Sequence, residues 1–161
     1  MKTAPISRLA KDTILEAIQA ASTASSKATT AWIDGVPAKA ANTLEWLHWA
    51  AELVRHDEHD STLLLRIGGC IVALEDMGEA MTRGSRVADL QHAPAMQAAA
   101  DRLRLASLLL QAARRQADLE VRLRAILPDA QGIADMADEA PADRAGDIII
   151  NARRIAQIAR A

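Results

Sequence analysis

Phenylalanine and tyrosine are absent from this chain, and its only aromatics are Trp32, Trp46 and Trp49. Strands draw on aromatic and β-branched side chains. These are scarce here outside short Ile runs, so a sheet has little to build from. There is one cysteine, Cys70. One thiol forms no internal disulfide, which excludes a small disulfide-stapled scaffold. Charge of one sign is also lacking: 19 Lys and Arg stand against 21 Asp and Glu, leaving a net −2. No global field therefore attracts nucleic acid or anionic lipid.

The longest apolar stretch, Leu63 to Leu74, contains Arg66 and is too short to span a bilayer. The first ten residues carry Lys2, Pro5 and Arg8 in place of the apolar run of a signal peptide. The expectation is a cytoplasmic protein without a membrane segment; a chain exported by a dedicated secretion machine would carry the same features. Arg outnumbers Lys, and the core is written almost wholly in Ala, Leu and Ile, a bias that fits a high-GC bacterial gene.

Half of the 161 residues are hydrophobic. Ala and Leu are strong helix formers, and the length suits one domain with a real core. These features predict an all-α fold: a single domain over residues 1–161, built as an elongated antiparallel bundle of four to five helices. Ser7 can cap a first helix from about Arg8 to Trp32, interrupted within Ser22 to Thr30, where hydroxyls compete for backbone. Asp34-Gly35-Val36-Pro37 reads as a turn. A second helix is expected from about Pro37 to His59, with Asp60 and Ser61 ending it and capping the next. A third is expected from Thr62 to Arg83. Leu63, Ile67, Cys70, Leu74, Met77 and Met81 alternate by four and three along it. Leu64, Leu65, Ile71 and Val72 widen the stripe to that of a central helix. Gly68-Gly69 inside it suggests a close crossing or a kink.

After a connection over Gly84 to Ala93, a fourth helix is expected from Pro94 to Leu127, stopped by Pro128. A short helix follows around Ile133 and Met136, and a last one opens at Pro141. On the fourth helix Leu105, Leu109, Ala112, Gln116, Leu119, Leu123 and Ile126 follow a strict 4-3 spacing. That makes about three heptads of coiled-coil pattern with one polar position, Gln116. A second seam, Leu103, Ala106, Leu110, Ala113 and Ala117, runs beside it. The helix thus has two contact faces over its N-terminal half. At ~1.5 Å per residue it extends roughly 50 Å, beyond a compact domain of this size. The expectation is that the bundle is elongated, that the helix is kinked, or that its end packs against a second chain, including a homodimer.

The chemical-looking cluster lies on the second helix, where Glu45, His48, Glu52, Arg55, His56 and His59 recur. His48, Glu52 and His56 form an i, i+4, i+8 column. With His59 they are the candidate ligands of a metal-binding bundle. Glu45-x-x-His48, and Asp89 to His92 in the expected connection, have the spacing of di-metal helix ligands. The opposing reading is a solvated face, because Trp46, Trp49 and Leu53 mark the apolar side and Arg55 would repel a cation. Trp46 and Trp49 then serve as core residues or, where exposed, as a partner-binding pair.

No phosphate loop follows a strand, no serine sits in a nucleophile elbow, and Cys70 lies in an apolar stripe. Arginines of the fourth helix, Arg102 to Arg124, alternate with acids and lack surface aromatics for base stacking, which disfavours nucleic acid. The chain thus reads as non-enzymatic and without a cofactor. It would be an adaptor or regulator that binds a protein partner or itself through Trp46, Trp49, Leu105, Leu109, Gln116, Leu119, Leu123 and Ile126. The alternatives are the metal-binding bundle and a nucleic-acid-associated regulator.

Overall fold

The Ser7 hydroxyl accepts the Ala10 amide at 3.3 Å and so begins α1, Arg8–Ala28. Four more helices follow in the computed structural model: α2 (Val36–Arg55), α3 (Ser61–Thr82), α4 (Val87–Glu139) and α5 (Ala145–Arg160). The structure describes residues 6–58, 61–139 and 145–160, and no strand occurs among them. The fold is all-α. Contacts divide the chain into two compact units, Met1–Arg114 and Arg115–Ala161, the first holding α1 to α3 with the start of α4 and the second the remainder.

The expected break in the first helix does not occur. Ser22 and Thr23 donate their hydroxyls to the carbonyls of Ile18 and Gln19, one turn back, at 2.9 and 3.0 Å. Bonded within their own helix, the hydroxyls cease to compete with it. Ala21, Ala24, Ser25 and Ala28 are buried on the same stretch. Small residues on this face and at Ala40, Ala50 and Ala51 of α2 let the two helices approach closely. The helix stops at Ala28, short of Trp32, and the chain turns through Gly35 at φ +76°, a left-handed conformation that favours glycine.

The second helix ends at Arg55 rather than His59. Asp57 takes φ +57°, and the Glu58 amide reaches the Leu53 carbonyl at 2.8 Å while the Asp57 amide reaches Val54 at 3.2 Å. This is a Schellman stop with aspartate in the usual glycine place. Lys11 of α1 secures it, donating to the Arg55 carbonyl at 2.8 Å and pairing with Asp57 at 3.1 Å. A cation at a helix C-terminus also meets the favourable end of the dipole. The core face of α2 is Val36, Ala40, Thr43, Leu47, Ala50 and Val54. Trp46, Trp49 and Leu53 flank that face instead of defining it, because the four-three spacing is kept by the smaller residues.

All six residues of the expected α3 stripe, Leu63 through Met81, are buried. The helix is not central, however: Leu65 and Val72 are exposed. Gly69 faces the Trp46 ring and Gly78 lies beside Met96 of α4. Lys39 and Asp76 tie α2 to α3 at 2.9 Å. Glu75 pairs with Arg104 to tie α3 to α4.

The fourth helix departs furthest from expectation. It begins at Val87, where the Arg86 carbonyl accepts the amides of Asp89 and Leu90. It runs 53 residues through both Pro94 and Pro128. Each proline removes one helical amide, which would have reached Leu90 or Arg124. Both prolines and both of those residues are exposed, so water can take the missing place. The segment expected as a separate short helix over Asp129 to Glu139 is the end of α4. The connection expected over Gly84 to Ala93 shrinks accordingly, and Asp89 to His92 are helical. Asp60 and Pro141 lie outside the described residues. Within the second unit, Asp129 pairs with Arg154 of α5 at 3.2 Å, and a β-carbon at Gly132 would stand 3.9 Å from the Asn151 amide nitrogen.

Candidate functional site

The two apolar stripes of α4 have opposite fates. Met96, Ala99, Ala100, Leu103, Ala106 and Leu110 join the core of the first unit. This is the stripe that reads as secondary in the sequence. The heptad seam is largely uncovered. In the first unit Leu105 is 52% exposed and Ala112 is open, while Leu109 packs partly on the core. In the second unit Leu119 and Leu123 are 58% and 60% exposed, Gln116 is exposed, and Ile126 is half-buried. Beside the strict seam, Leu108 in the first unit and Leu127 in the second are exposed as well. Full burial of a leucine is worth roughly 1.5–3 kcal/mol, so each of these leucines leaves about half of that gain unrealised.

Charges border the seam. Arg115 is exposed, and Arg122 and Glu120 are half-buried. The Gln116 amide donates to Glu120 at 3.4 Å, one turn on. The spacing makes this seam legible in the sequence. Which of the two stripes the core takes is not legible there. Ala and Leu occupy both, and periodicity alone does not rank them.

The tryptophan pair is in a different state. Trp46 is half-buried and Trp49 sits at the margin of exposure. The Arg66 guanidinium of α3 lies 5.0 Å from the Trp46 ring centre and 5.6 Å from that of Trp49. One cation serves both indoles, so the pair is engaged within the chain. Trp32 is the openly exposed indole, at 83%, with Arg86 stacked 4.9 Å from its centre. The backbone amide of Trp32 donates to the buried Asp89 carboxylate at 3.4 Å, and Asp89 in turn pairs with Arg86 at 3.2 Å. Asp89 thereby locks the α1–α2 turn to the start of α4, a structural role in place of the ligand spacing read from sequence.

The histidine cluster does not converge. His48 and His56 are exposed, His56 caps α2 outside the helix proper, and its Nε2 stands 3.9 Å from Glu52. Glu52 also bonds Arg55. His59 lies outside the described residues. Among the described residues no three His, Cys, Asp or Glu side chains are grouped to hold a metal ion. Cys70 is buried, and burial pushes its thiol from 9.0 up to about 11, with Arg66 pulling it partly back. Such a thiol is a poor nucleophile.

A groove of about 580 Å³ lies between α3 and the start of α4, and its carboxylates are Glu75 and Glu79. Glu75 is paired with Arg104 and Glu79 with Arg83. Thr82 on the α3 wall donates to the Glu79 carbonyl, and Gln97 on the α4 wall donates to Asp101. These polar side chains thus already have partners, across the two helices for Glu75 and close along the chain for Glu79, Thr82 and Gln97. No described helix is long and apolar enough to cross a membrane. Comparison with family models, curated proteins and solved structures finds no match.

Proposed function

We propose that this protein is a non-enzymatic helical interaction module that binds a protein partner, or itself, through the apolar seam of α4. The observation that carries this reading is the division of α4. One stripe is spent on the chain's own core, and a second, with coiled-coil spacing, keeps Leu105, Leu119 and Leu123 more than half exposed. A coiled-coil seam is apolar because another helix covers it, and an apolar patch in contact with water is characteristic of an interaction surface. The occupied polar groups of the α3–α4 groove and the high thiol pKa of Cys70 point away from chemistry as the purpose of the fold.

The test is photo-crosslinking in the native cell with a benzophenone amino acid placed at Leu123, beside a control at the exposed Arg8 of α1. The reading expects a discrete protein adduct from Leu123, either with a second copy or with another chain, and none from Arg8. Absence of any adduct from Leu123 would overturn it.

A further inference from the structure

We infer that the seam is occupied by a second copy of this chain, aligned parallel and in register about Gln116; this rests on the reading of α4 as an interaction helix. The spacing fixes the heptad letters. Leu109, Gln116 and Leu123 fall at a, and Leu105, Ala112, Leu119 and Ile126 at d. The flanking g positions are then Leu108, Arg115 and Arg122, and the e positions are Ala106, which is buried in the chain's own core, Ala113, Glu120 and Leu127.

In a parallel pair each g residue faces the e residue of the next heptad across the interface. Arg115 of one copy then meets Glu120 of the other, and two-fold symmetry makes the ion pair twice. Arg122 lays its aliphatic stem along Leu127. In the antiparallel alternative g faces g and e faces e. Centred on this segment, that arrangement sets Arg115 against Arg122, also twice. The polar a residue favours the parallel pair on separate grounds. In the parallel register Gln116 meets Gln116, and two amides satisfy each other. In the antiparallel one an a residue shares its layer with a d residue, and Gln116 would meet Leu119, which offers it no hydrogen bond across the interface. Arg115 is exposed and Gln116 already donates to Glu120 within its own helix, so the groups stand at the border of the seam in the single chain. Identical chains supply identical seams, so the pairing closes as a two-fold dimer.

The test is sedimentation equilibrium or light scattering on the full chain and three variants: Arg115→Glu, Glu120→Arg and the double reversal. Each substitution is on an exposed or half-exposed helix position, and circular dichroism checks that the helices persist. The parallel dimer predicts a doubled molar mass for the unaltered chain. Each single reversal should weaken self-association by about tenfold or more. The double reversal should restore it. An equimolar mixture of the two single variants should form a heterodimer, because both interfacial pairs then become attractive. Tighter association of Arg115→Glu would overturn the parallel alignment, since it turns Arg–Arg into Glu–Arg in the antiparallel form. A monomer at every concentration would overturn self-pairing. In that case the Leu123 adduct described above, if it holds a different protein, keeps the interaction reading standing apart from this one.

Discussion

The indole of Trp46 occupies the space that a side chain at Gly69 would need: a β-carbon there would stand 3.0 Å from Cζ3 of the ring. The neighbouring Gly68 has nothing within 4 Å of the same position. Adjacent glycines in one helix therefore do different things. Both cost the helix about 1 kcal/mol relative to alanine, but only Gly69 returns something, a seat for Trp46 between α2 and α3.

The first prediction follows from that contrast. Gly68→Ala should stabilise the protein by about 0.5–1 kcal/mol. Gly69→Val should destabilise it by about 1–3 kcal/mol, because the ring must move and Arg66 loses its place over it. Urea denaturation with Trp emission as the probe measures both. Equal effects at the two positions would contradict the assigned packing.

Asp89 is the second case. It is 1% exposed, accepts the Trp32 amide and pairs with Arg86. Asp89→Ala should cost about 1–3 kcal/mol, since an amide and a guanidinium lose a buried partner together. Asp89→Asn keeps an acceptor for the Trp32 amide and should cost less. Chemical denaturation of the two variants decides it; equal losses would mean that the amide bond matters little and the charge is everything.

These two sites mark what could be read in the sequence. The six-residue stripe of α3 was legible because four-three spacing and strong apolar character coincide at Leu63, Ile67, Cys70, Leu74, Met77 and Met81. The length of α4 was not. Pro128 is a stop by local rules, yet one missing amide in an exposed turn is a smaller loss than ending a helix whose very next residue, Asp129, pairs with Arg154 of α5. The role of Asp89 was hidden for another reason. Its partner Trp32 lies 57 residues earlier, and no local spacing reports a contact of that kind. The exposed seam was visible as a seam, but its exposure depended on which alanine-rich stripe filled the first unit.

Trp emission provides a third, inexpensive check. Trp32 is far more exposed than Trp46 or Trp49. Trp32→Leu should blue-shift the emission maximum and reduce quenching by acrylamide, leaving the two indoles shielded by Arg66. An unchanged quenching constant would place the accessible indole on α2 and reopen Trp46 and Trp49 as a partner surface.

The last prediction concerns the pH dependence of stability, and it comes from Cys70. Burial raises its thiol from 9.0 to about 11, with Arg66 partly opposing. Below pH 9 the thiol is protonated whether the chain is folded or not, and its contribution to stability is fully present. Between about pH 9 and pH 11 the unfolded chain gives up the proton while the folded chain keeps it. The unfolded state then binds fewer protons, so stability falls as pH rises through that window. At 1.36 kcal/mol per unit the loss is on the order of 2 kcal/mol by pH 11. The comparison that isolates the thiol is with Cys70→Ala, whose stability should decline less steeply from pH 9 to 11 in urea titrations. A thiol reagent at pH 8 should label the folded protein only as fast as it opens. Rapid labelling without unfolding, or identical pH slopes for the two proteins, would remove Cys70 from the core.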